Sequence, residues 1–367
     1  MDVASGMPPP PLVGRQAELD ELLQAFDAAA AGSGTVRLLS GEPGIGKTRL
    51  AEELSAHAKA KGAQVHWGRA WEVEGALSLW PWMQVLRSIS AAPGGRAALE
   101  ARAAALGLLM PELAGRAPHA VEPGQTPFHL AVSLVDLLEH LGAQAVQVLV
   151  FDDLHCADPA TLLVLQLVAQ EARALKLLVL GTWREVEARR SPEVASALAR
   201  LSRLGSTTSL GPLGADAVSA LLERRTGGAP APELRGVVLK SCEGNPLFVD
   251  AVTRLWAAHG RLPSAGFTLP DTVRETLRQR IDLLPPNARR LLEVAAVLGR
   301  EAPVPVLQAA SAATAAEVLA ALGEGAAAGV LSDSGPHTVR FSHVLVREAL
   351  YQALPAARRV ELHAACA

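Results

Sequence analysis

Short apolar runs alternate with longer amphipathic stretches along the first 212 residues of the chain. Five of the apolar runs have the length of buried strands. They are Val36–Ser40, Gln64–Arg69, Val146–Asp152, Leu175–Gly181 and Thr207–Leu210. Between the first two, apolar positions three and four residues apart predict a helix over Thr48–Lys61, which Gly62 ends. Strands that alternate with helices are typical of an α/β fold, so we predict a parallel sheet with helices on both faces.

The rest of the chain has helical periodicity with two Gly/Pro-rich breaks. Ala215–Arg225 is predicted as a helix, and further helices extend to about His259 and again from Pro270. Near the end, Gly329–Ser332 and Thr338–Phe341 flank turn residues and predict a β-hairpin. Helices, a hairpin and another helix together indicate a winged-helix domain. The predicted organisation is a disordered tail (1–11), an α/β domain (12–212), a helical subdomain (213–262) and a winged-helix domain (263–367) in which a further helical region begins near the end.

Composition narrows the functional class. The chain of 367 residues carries a formal net charge of −3, so nothing in it predicts a nucleic-acid surface. No uncharged apolar run reaches the roughly 18 residues of a membrane helix, and the N-terminus lacks the basic flank and apolar core of a signal peptide. Three cysteines without metal-ligand spacing suit a reducing compartment. We therefore predict a cytoplasmic protein with no membrane partner.

Residues Gly41–Thr48 match the phosphate-binding pattern G-x-x-x-x-G-K-[ST] at every required position. The loop positions whose amides would cradle phosphate are Gly41, Gly44, Ile45 and Gly46. Lys47 would reach the β- and γ-phosphates, and the Thr48 hydroxyl can ligate Mg²⁺. A predicted strand precedes the loop and a predicted helix follows it, which is the context that the motif needs. The alternative is a Gly-rich turn that holds a lysine by chance. We predict that the chain binds a nucleoside triphosphate.

Two further predicted strands end in polar residues. The first ends in Asp152 and Asp153; in P-loop enzymes such an acid holds the Mg²⁺ shell, and the next one can orient or deprotonate the attacking water. The second is followed by Thr182 and Arg184. Because the carboxyl ends of parallel strands gather at the ligand, these two side chains are candidates to sense the γ-phosphate. The alternative for the second pair is an ordinary solvated strand end.

Seven motifs occur in the order found in one family of bacterial regulators. They are Leu12-Val13-Gly14-Arg15, Gly41–Thr48, Trp80-Pro81-Trp82, Asp152-Asp153-Leu154-His155, Gly181-Thr182-Trp183-Arg184, Gly244-Asn245-Pro246-Leu247-Phe248 and Phe341-Ser342-His343-Val344-Leu345-Val346-Arg347-Glu348. The phosphate loop is generic, but the ordered set is specific. From Leu12 to its end the chain resembles the ATP-binding part of the large ATP-binding LuxR-type regulators. These belong, with MalT and the apoptosome ATPases, to the STAND class of signalling NTPases.

The resemblance implies roles for residues outside the phosphate loop. Val13 and Arg15 match the segment beside the nucleotide base; the alternative is a plain helix entry. Pro246 matches the proline that packs near adenine, and the alternative is an ordinary helix-start proline. His343 matches the winged-helix histidine that reaches the β-phosphate of bound ADP, and the alternative is a structural residue. The chain departs from the family pattern at Cys156, where a tryptophan usually follows the histidine; we expect altered packing there and unchanged acids.

The predicted winged helix has a poor surface for reading DNA. Its predicted recognition helix, Thr314–Gly323, carries Glu317 and no lysine or arginine, so it would repel phosphates. The resemblance instead implies a lid on the nucleotide. Full-length family members continue with helical repeats and a DNA-binding domain, whereas this chain stops within a helical pattern. It is either a fragment or a short variant without its own output.

We predict an ATP-dependent, slowly hydrolysing switch that forms the nucleotide-binding module of a bacterial transcriptional regulator. Thr48 and Asp152 would bind Mg²⁺, Asp153 would position water, Arg184 would sense the γ-phosphate, and His343 would sense ADP. An activating ligand or protein and nucleotide-dependent self-association complete the expected partners. The alternatives are an AAA-type motor or loader with fast, partner-stimulated turnover, and a scaffold with a degenerate site. A motor needs an arginine finger, and the sequence does not single one out.

Overall fold

The structure is a computed structural model that describes residues 12–71, 77–107, 109–110, 126–230, 232–259, 277–278, 281–282, 284–299, 301–332, 337–342 and 344–366. The chain divides into two compact units. The first comprises Met1–Glu42 and Gly46–Gly211, and the second comprises Pro43–Ile45 and Pro212–Ala367. The predicted break at Leu262–Gly266 and the candidate His343 lie outside the described residues.

The first unit alternates strands and helices. Its strands are β1 (Thr35–Gly41), β2 (Gln64–Arg69), β3 (Gln147–Asp152), β4 (Leu177–Thr182) and β5 (Ser206–Leu210). Its helices are α1 (Gln16–Ala30), α2 (Lys47–Ala60), α3 (Trp80–Ala91), α4 (Gly95–Glu100), α5 (Ala103–Leu106), α6 (Thr126–Gly142), α7 (Pro159–Glu171), α8 (Glu185–Ala188) and α9 (Pro192–Leu204). All five predicted strands are confirmed, with ends shifted by at most two residues.

The five strands form one parallel sheet in the order β2-β3-β4-β1-β5. Every residue of β3 and β4 is buried, which requires cover on both faces of the sheet and fits the continuous apolar runs of these strands. Arg69, the last residue of β2, lies opposite Asp152, the last residue of β3. Gly181 lies opposite Phe151, so Thr182 ends β4 beside Asp152. The sheet therefore lines up three polar side chains at its carboxyl edge.

Local chemistry explains where the helices begin. In α7, the Asp158 carboxylate caps the helix by accepting from the Thr161 amide at 3.1 Å, and Pro159 occupies the first turn. In α9, Ser191 plays the same capping part for Val194. These caps satisfy amide groups that have no partner inside the helix, and they fix the points at which the chain leaves the sheet.

The core of the first unit lies between the sheet and its helices. Trp82 on α3 is fully buried, and its ring packs on Phe151 of β3 with centroids 4.8 Å apart. Its indole N–H donates to the Thr161 carbonyl at 3.2 Å. Trp82 therefore packs against the sheet. Gly181 is needed in β4 because a Cβ there would lie 2.6 Å from Leu154 Cδ1. The Trp82–Phe151 contact and the close approach of Leu154 to Gly181 thus pack β3 and β4 tightly against their neighbours.

The second unit is mainly helical. Its helices are α10 (Ala215–Thr226), α11 (Pro232–Ser241), α12 (Pro246–His259), α13 (Pro286–Leu298), α14 (Val304–Ser311), α15 (Ala315–Ala327), α16 (Val344–Ala353) and α17 (Ala356–Cys366). The strands β6 (Glu301–Pro303), β7 (Leu331–Ser332) and β8 (Thr338–Phe341) form an antiparallel sheet in the order β6-β8-β7. The predicted pairing of the last two strands is confirmed, whereas β6 is an additional strand. Residues of α13, α15, α16 and β8 share one apolar core.

No single helix among the described residues is long and apolar enough to cross a membrane. Taken together, the adjacent helices α14 and α15 have the length and composition of a membrane span, but the chain bends by 115° between them.

Candidate nucleotide-binding site

The loop Gly41–Thr48 joins β1 to α2 at the carboxyl edge of the sheet. Gly44 and Gly46 have φ of 75° and 106°, the left-handed region in which glycine is favoured. Around Gly46 no atom lies within 4 Å of the point that a Cβ would occupy. The two glycines therefore allow the loop to curl, and Gly46 leaves open space beside it, which a phosphate group needs.

Lys47 is buried, and its ammonium group is held by the loop itself. Nζ donates to the carbonyl oxygens of Gly41 at 2.8 Å and Glu42 at 2.9 Å. Burial, with a smaller contribution from Arg184, lowers the pKa of Lys47 to about 8, against the opposing carboxylates. Burial removes water from the charged ammonium group and so destabilises it. A phosphate within reach of Lys47 would therefore stabilise the charged form.

Asp152 is the centre of a hydrogen-bond network, and its side chain is only 1% exposed. The Thr48 hydroxyl lies 3.1 and 3.2 Å from the two carboxylate oxygens. The Thr182 hydroxyl donates to Oδ1 at 2.6 Å. Arg69 donates to Oδ2 through Nε at 3.1 Å and Nη2 at 2.8 Å. The carboxylate is thereby oriented and almost completely enclosed by hydrogen-bond donors of the protein.

Thr48 and Asp152 are suited to Mg²⁺. Both supply oxygen atoms, which hard divalent cations prefer, and they lie close enough for one ion to contact both. Held by Thr48 and Asp152, Mg²⁺ would offset the negative charge of bound phosphates. The structure therefore brings together the two side chains that the sequence predicted as metal ligands. Arg69 and Thr182 also donate hydrogen bonds to the Asp152 carboxylate.

Asp153 adopts a left-handed backbone conformation with φ of 59°. Its Oδ1 lies 3.7 Å from Nε of Arg184, and Arg184 Nη1 lies 3.4 Å from Glu187. Burial and the neighbouring Asp152 raise the pKa of Asp153, while Arg184 and Lys47 act in the opposite direction. Its amide N–H donates to the Thr182 hydroxyl at 3.0 Å, so Thr182 restrains both acids.

His155 lies beside this acid pair. Its Nδ1 is 3.9 Å from Asp153 Oδ1, and its side chain is 5% exposed. Burial, together with Arg184 and Lys47, lowers the pKa of His155 to about 3. The histidine is therefore neutral at physiological pH. It lies in the 3₁₀ turn Leu154–Cys156, which connects β3 to α7.

Arg15 and Val13 lie at the entrance to α1. Arg15 is buried, donates to Glu18 at 2.9 Å and also donates to the Gly211 carbonyl just after β5. Val13 is half-buried. These contacts fix the N-terminal segment to the end of the sheet, so Arg15 has a clear structural partner set.

Within the second unit, Asn245 and Pro246 lie with the loop residues Pro43–Ile45 that belong to the same unit. Asn245 is buried; its Nδ2 donates to the Pro43 carbonyl at 3.1 Å, and its Oδ1 accepts from the Leu247 amide at 3.1 Å. Pro246 is half-buried and begins α12. A Cβ on Gly44 would lie 2.5 Å from Leu247 Cβ, a second reason for glycine at that position.

Five predicted residues are brought together at one edge of the sheet: Lys47, Thr48, Asp152, Asp153 and Arg184. Sequence reasoning missed Arg69, although it correctly ended the predicted strand on that residue. It also assigned Thr182 to the phosphate, whereas the fully buried hydroxyl contacts Asp152 and Asp153. The signal for Arg69 was a cation at the end of a neighbouring strand, which becomes informative only once the strand order is known.

Comparison with known proteins finds a similarity in the part of the chain that holds this site. Residues 11–180 match the family described as the AAA ATPase domain. An uncharacterized protein of Rhizobium meliloti (strain 1021) is 25% identical over 388 aligned positions, which cover 96% of this chain and 36% of the relative. The chain thus spans about a third of the length of this curated relative.

Several solved P-loop structures have limited similarity to the chain. A STAND protein with a tetratricopeptide repeat sensor from Pyrococcus horikoshii is 16% identical with a TM-score of 0.43, over 96% of this chain and 45% of that one. The ORC1 protein of Aeropyrum pernix, solved in complex with DNA, is 19% identical with a TM-score of 0.43, over 94% of each chain. RuvB of Thermotoga maritima is 15% identical with a TM-score of 0.43, over 94% and 96%.

Proposed function

We propose that the AAA-type ATPase domain of this chain is an ATP-dependent signalling switch, and that the chain is the nucleotide-binding module of a bacterial regulator. The observation that carries this proposal is the convergence of Lys47, Thr48, Asp152, Asp153 and Arg184 at the carboxyl edge of the sheet. In a parallel α/β sheet this edge is where ligands bind. The site combines a phosphate-binding loop with the acids that a metal and a water require.

Each residue has a distinct part in the proposed cycle. Lys47 exchanges the Gly41 and Glu42 carbonyls for phosphate oxygens, and Thr48 and Asp152 hold Mg²⁺. Asp153 positions the attacking water, and Arg184 contacts the γ-phosphate. Arg184 pairs with both Asp153 and Glu187. For Arg184 to contact the γ-phosphate it would have to leave Asp153, and a cycle that includes this rearrangement is consistent with the slow turnover of a switch.

The switch requires a second conformation that depends on the bound nucleotide. Val13, Arg15 and Pro246 are the proposed neighbours of the adenine base, and His343 is the proposed contact for the β-phosphate of ADP. These four assignments rest on the resemblance to LuxR-type STAND regulators. The same resemblance supports a winged-helix lid, cytoplasmic location, an activating ligand or protein, nucleotide-dependent self-association and transcriptional regulation as the output.

The nucleotide content of the purified protein tests the proposal. We expect ATP or ADP to copurify with wild type or to bind in the presence of Mg²⁺, and Lys47→Ala to abolish binding. Lys59→Ala is the matched control, because Lys59 is exposed on the same helix. A wild-type protein that binds no adenine nucleotide with Mg²⁺ would contradict the proposal. Fast turnover stimulated by a polymer such as DNA would instead identify a motor or loader.

A further inference from the structure

Arg69 forms a two-donor ion pair with the proposed metal ligand Asp152. Nε and Nη2 both donate to Oδ2, at 3.1 and 2.8 Å. The pairing follows from topology, because Arg69 and Asp152 end adjacent parallel strands and lie directly opposite each other. The two partners differ in environment: the Arg69 side chain is 47% exposed, whereas that of Asp152 is 1% exposed.

The backbone of Arg69 is fixed while its side chain reaches solvent. Gln84 on α3 accepts from the Arg69 amide at 3.2 Å and donates to the Arg69 carbonyl at 2.9 Å. The next residue, Ala70, donates its amide to the Asp152 carbonyl at 3.0 Å. The guanidinium can therefore leave the carboxylate by side-chain rotation alone, without moving the strand.

The carboxylate of Asp152 has no spare capacity while Arg69 is in place. A carboxylate offers about four acceptor sites. Thr182, Thr48 and the two Arg69 nitrogens occupy both oxygens. A cation that binds Asp152 must displace a donor, and Thr182 is fully buried on the neighbouring strand. The half-exposed guanidinium is the donor that can be displaced into water.

We propose that Arg69 is a built-in counter-ion that holds Asp152 in the nucleotide-free state and competes with Mg²⁺ for this carboxylate. This inference rests on the nucleotide function proposed above. The Arg69 guanidinium would leave Oδ2 and turn to solvent when Asp152 holds a metal ion. Arg69 is thus a positioning residue that keeps the acid oriented, and it sets the Mg²⁺ concentration at which nucleotide binds.

The test compares wild type with Arg69→Gln and Arg69→Lys, each freed of nucleotide. A fluorescent N-methylanthraniloyl derivative of ATP is titrated at a series of free Mg²⁺ concentrations. A half-exposed ion pair corresponds to roughly a two- to fivefold effect on an equilibrium. We therefore expect Arg69→Gln to bind the nucleotide two- to fivefold more tightly at saturating Mg²⁺ and to reach half-saturation at a lower Mg²⁺ concentration. Arg69→Lys, which keeps the charge, should stay within about twofold of wild type.

Thermal unfolding supplies a readout that is independent of binding. Nucleotide-free Arg69→Gln should melt about 1–3 °C below wild type, and saturating Mg²⁺ with the nucleotide should remove this difference. Arg96→Gln is the control, because Arg96 forms an exposed pair with Glu100 away from the site. It should change neither Mg²⁺ dependence nor nucleotide affinity.

Other outcomes would overturn the inference in distinguishable ways. Weaker binding by Arg69→Gln at saturating Mg²⁺ would mean that Arg69 contacts the bound nucleotide. Unchanged binding and Mg²⁺ dependence, beside a wild type that binds normally, would mean that the ion pair does not compete with the metal. A wild type that binds no nucleotide at any Mg²⁺ concentration would overturn the proposed function together with this inference.

Discussion

Replacing Thr182 with valine should destabilise the first unit more than its small change in size would indicate. Thr182 is fully buried at the end of β4, and valine has nearly the same shape. The substitution removes the donor to Asp152 Oδ1 at 2.6 Å and the acceptor of the Asp153 amide at 3.0 Å. It therefore leaves a buried carboxylate oxygen and a backbone N–H without these partners.

The expected cost follows from the two hydrogen bonds. A bond to a charged group contributes about 1.5–3 kcal/mol, and a buried unsatisfied amide costs about 1–3 kcal/mol. Asp152 retains Thr48 and Arg69, which limits the loss. We expect Thr182→Val to lower the free energy of unfolding by roughly 2–4 kcal/mol, or about 5–12 °C in melting temperature for a unit of this size.

Urea unfolding of nucleotide-free protein, followed by tryptophan fluorescence, measures this difference. Thr182→Ser is the matched control, because it keeps the hydroxyl and removes only a methyl group; it should cost about 1 kcal/mol. Mg²⁺-dependent nucleotide binding should weaken in Thr182→Val, because Asp152 loses the donor that orients it. A valine variant at least as stable as the serine variant would refute the network, since a merely space-filling threonine tolerates valine better than serine.

Two further predictions concern histidines. Burial lowers the pKa of His66 to about 4, below the value near 6.5 of the unfolded chain. As the pH falls, the unfolded state therefore takes up a proton before the folded state does. The stability that this difference contributes is fully present above pH 6.5 and is lost as the pH falls towards 4. In urea unfolding, wild type should lose about 2 kcal/mol of stability between pH 7 and pH 5 because of His66. His66→Gln should abolish this loss, whereas His140→Gln, at an exposed position, should not. His343→Ala should weaken ADP binding by about tenfold, more than it weakens ATP binding, and speed nucleotide exchange. Unchanged ADP affinity, as expected for the exposed control His337→Ala, would contradict the lid contact of His343.

The sheet was predictable because its strands carry strong local signals. β3 and β4 are apolar along their length, and their complete burial is what such runs indicate. By contrast, β6 has only three residues, includes a proline and buries only Ala302, so it carries no periodic signal. Its pairing with β8 is a tertiary event, supported by an ion pair of 2.8 Å between Arg340 and Glu301. Short strands of this kind are defined by their partners.

The site divides along the same line. Lys47 and Thr48 follow from a contiguous motif, and Asp152 follows from its place after an apolar strand. The contacts of Arg69 and Thr182 with Asp152 depend on which strands are neighbours in the sheet. The strand order cannot be read from local sequence patterns. The sequence placed Arg69 at the end of β2 but not beside Asp152. Geometry between strands, rather than residue type, is the missing information.

The cations and carboxylates of the site balance one another. Lys47, Arg69 and Arg184 face Asp152, Asp153 and Glu187, three cations against three carboxylates. A triphosphate adds several negative charges to this balanced set, and Mg²⁺ offsets part of them. If Arg69 leaves Asp152 when Mg²⁺ enters, one cation is exchanged for another on the same oxygen, and the buried acid stays neutralised throughout. Nucleotide that arrives without Mg²⁺ gains no such exchange. Under the competition proposed above, Arg69 raises the Mg²⁺ concentration at which nucleotide binds, because the guanidinium has to leave Asp152 first.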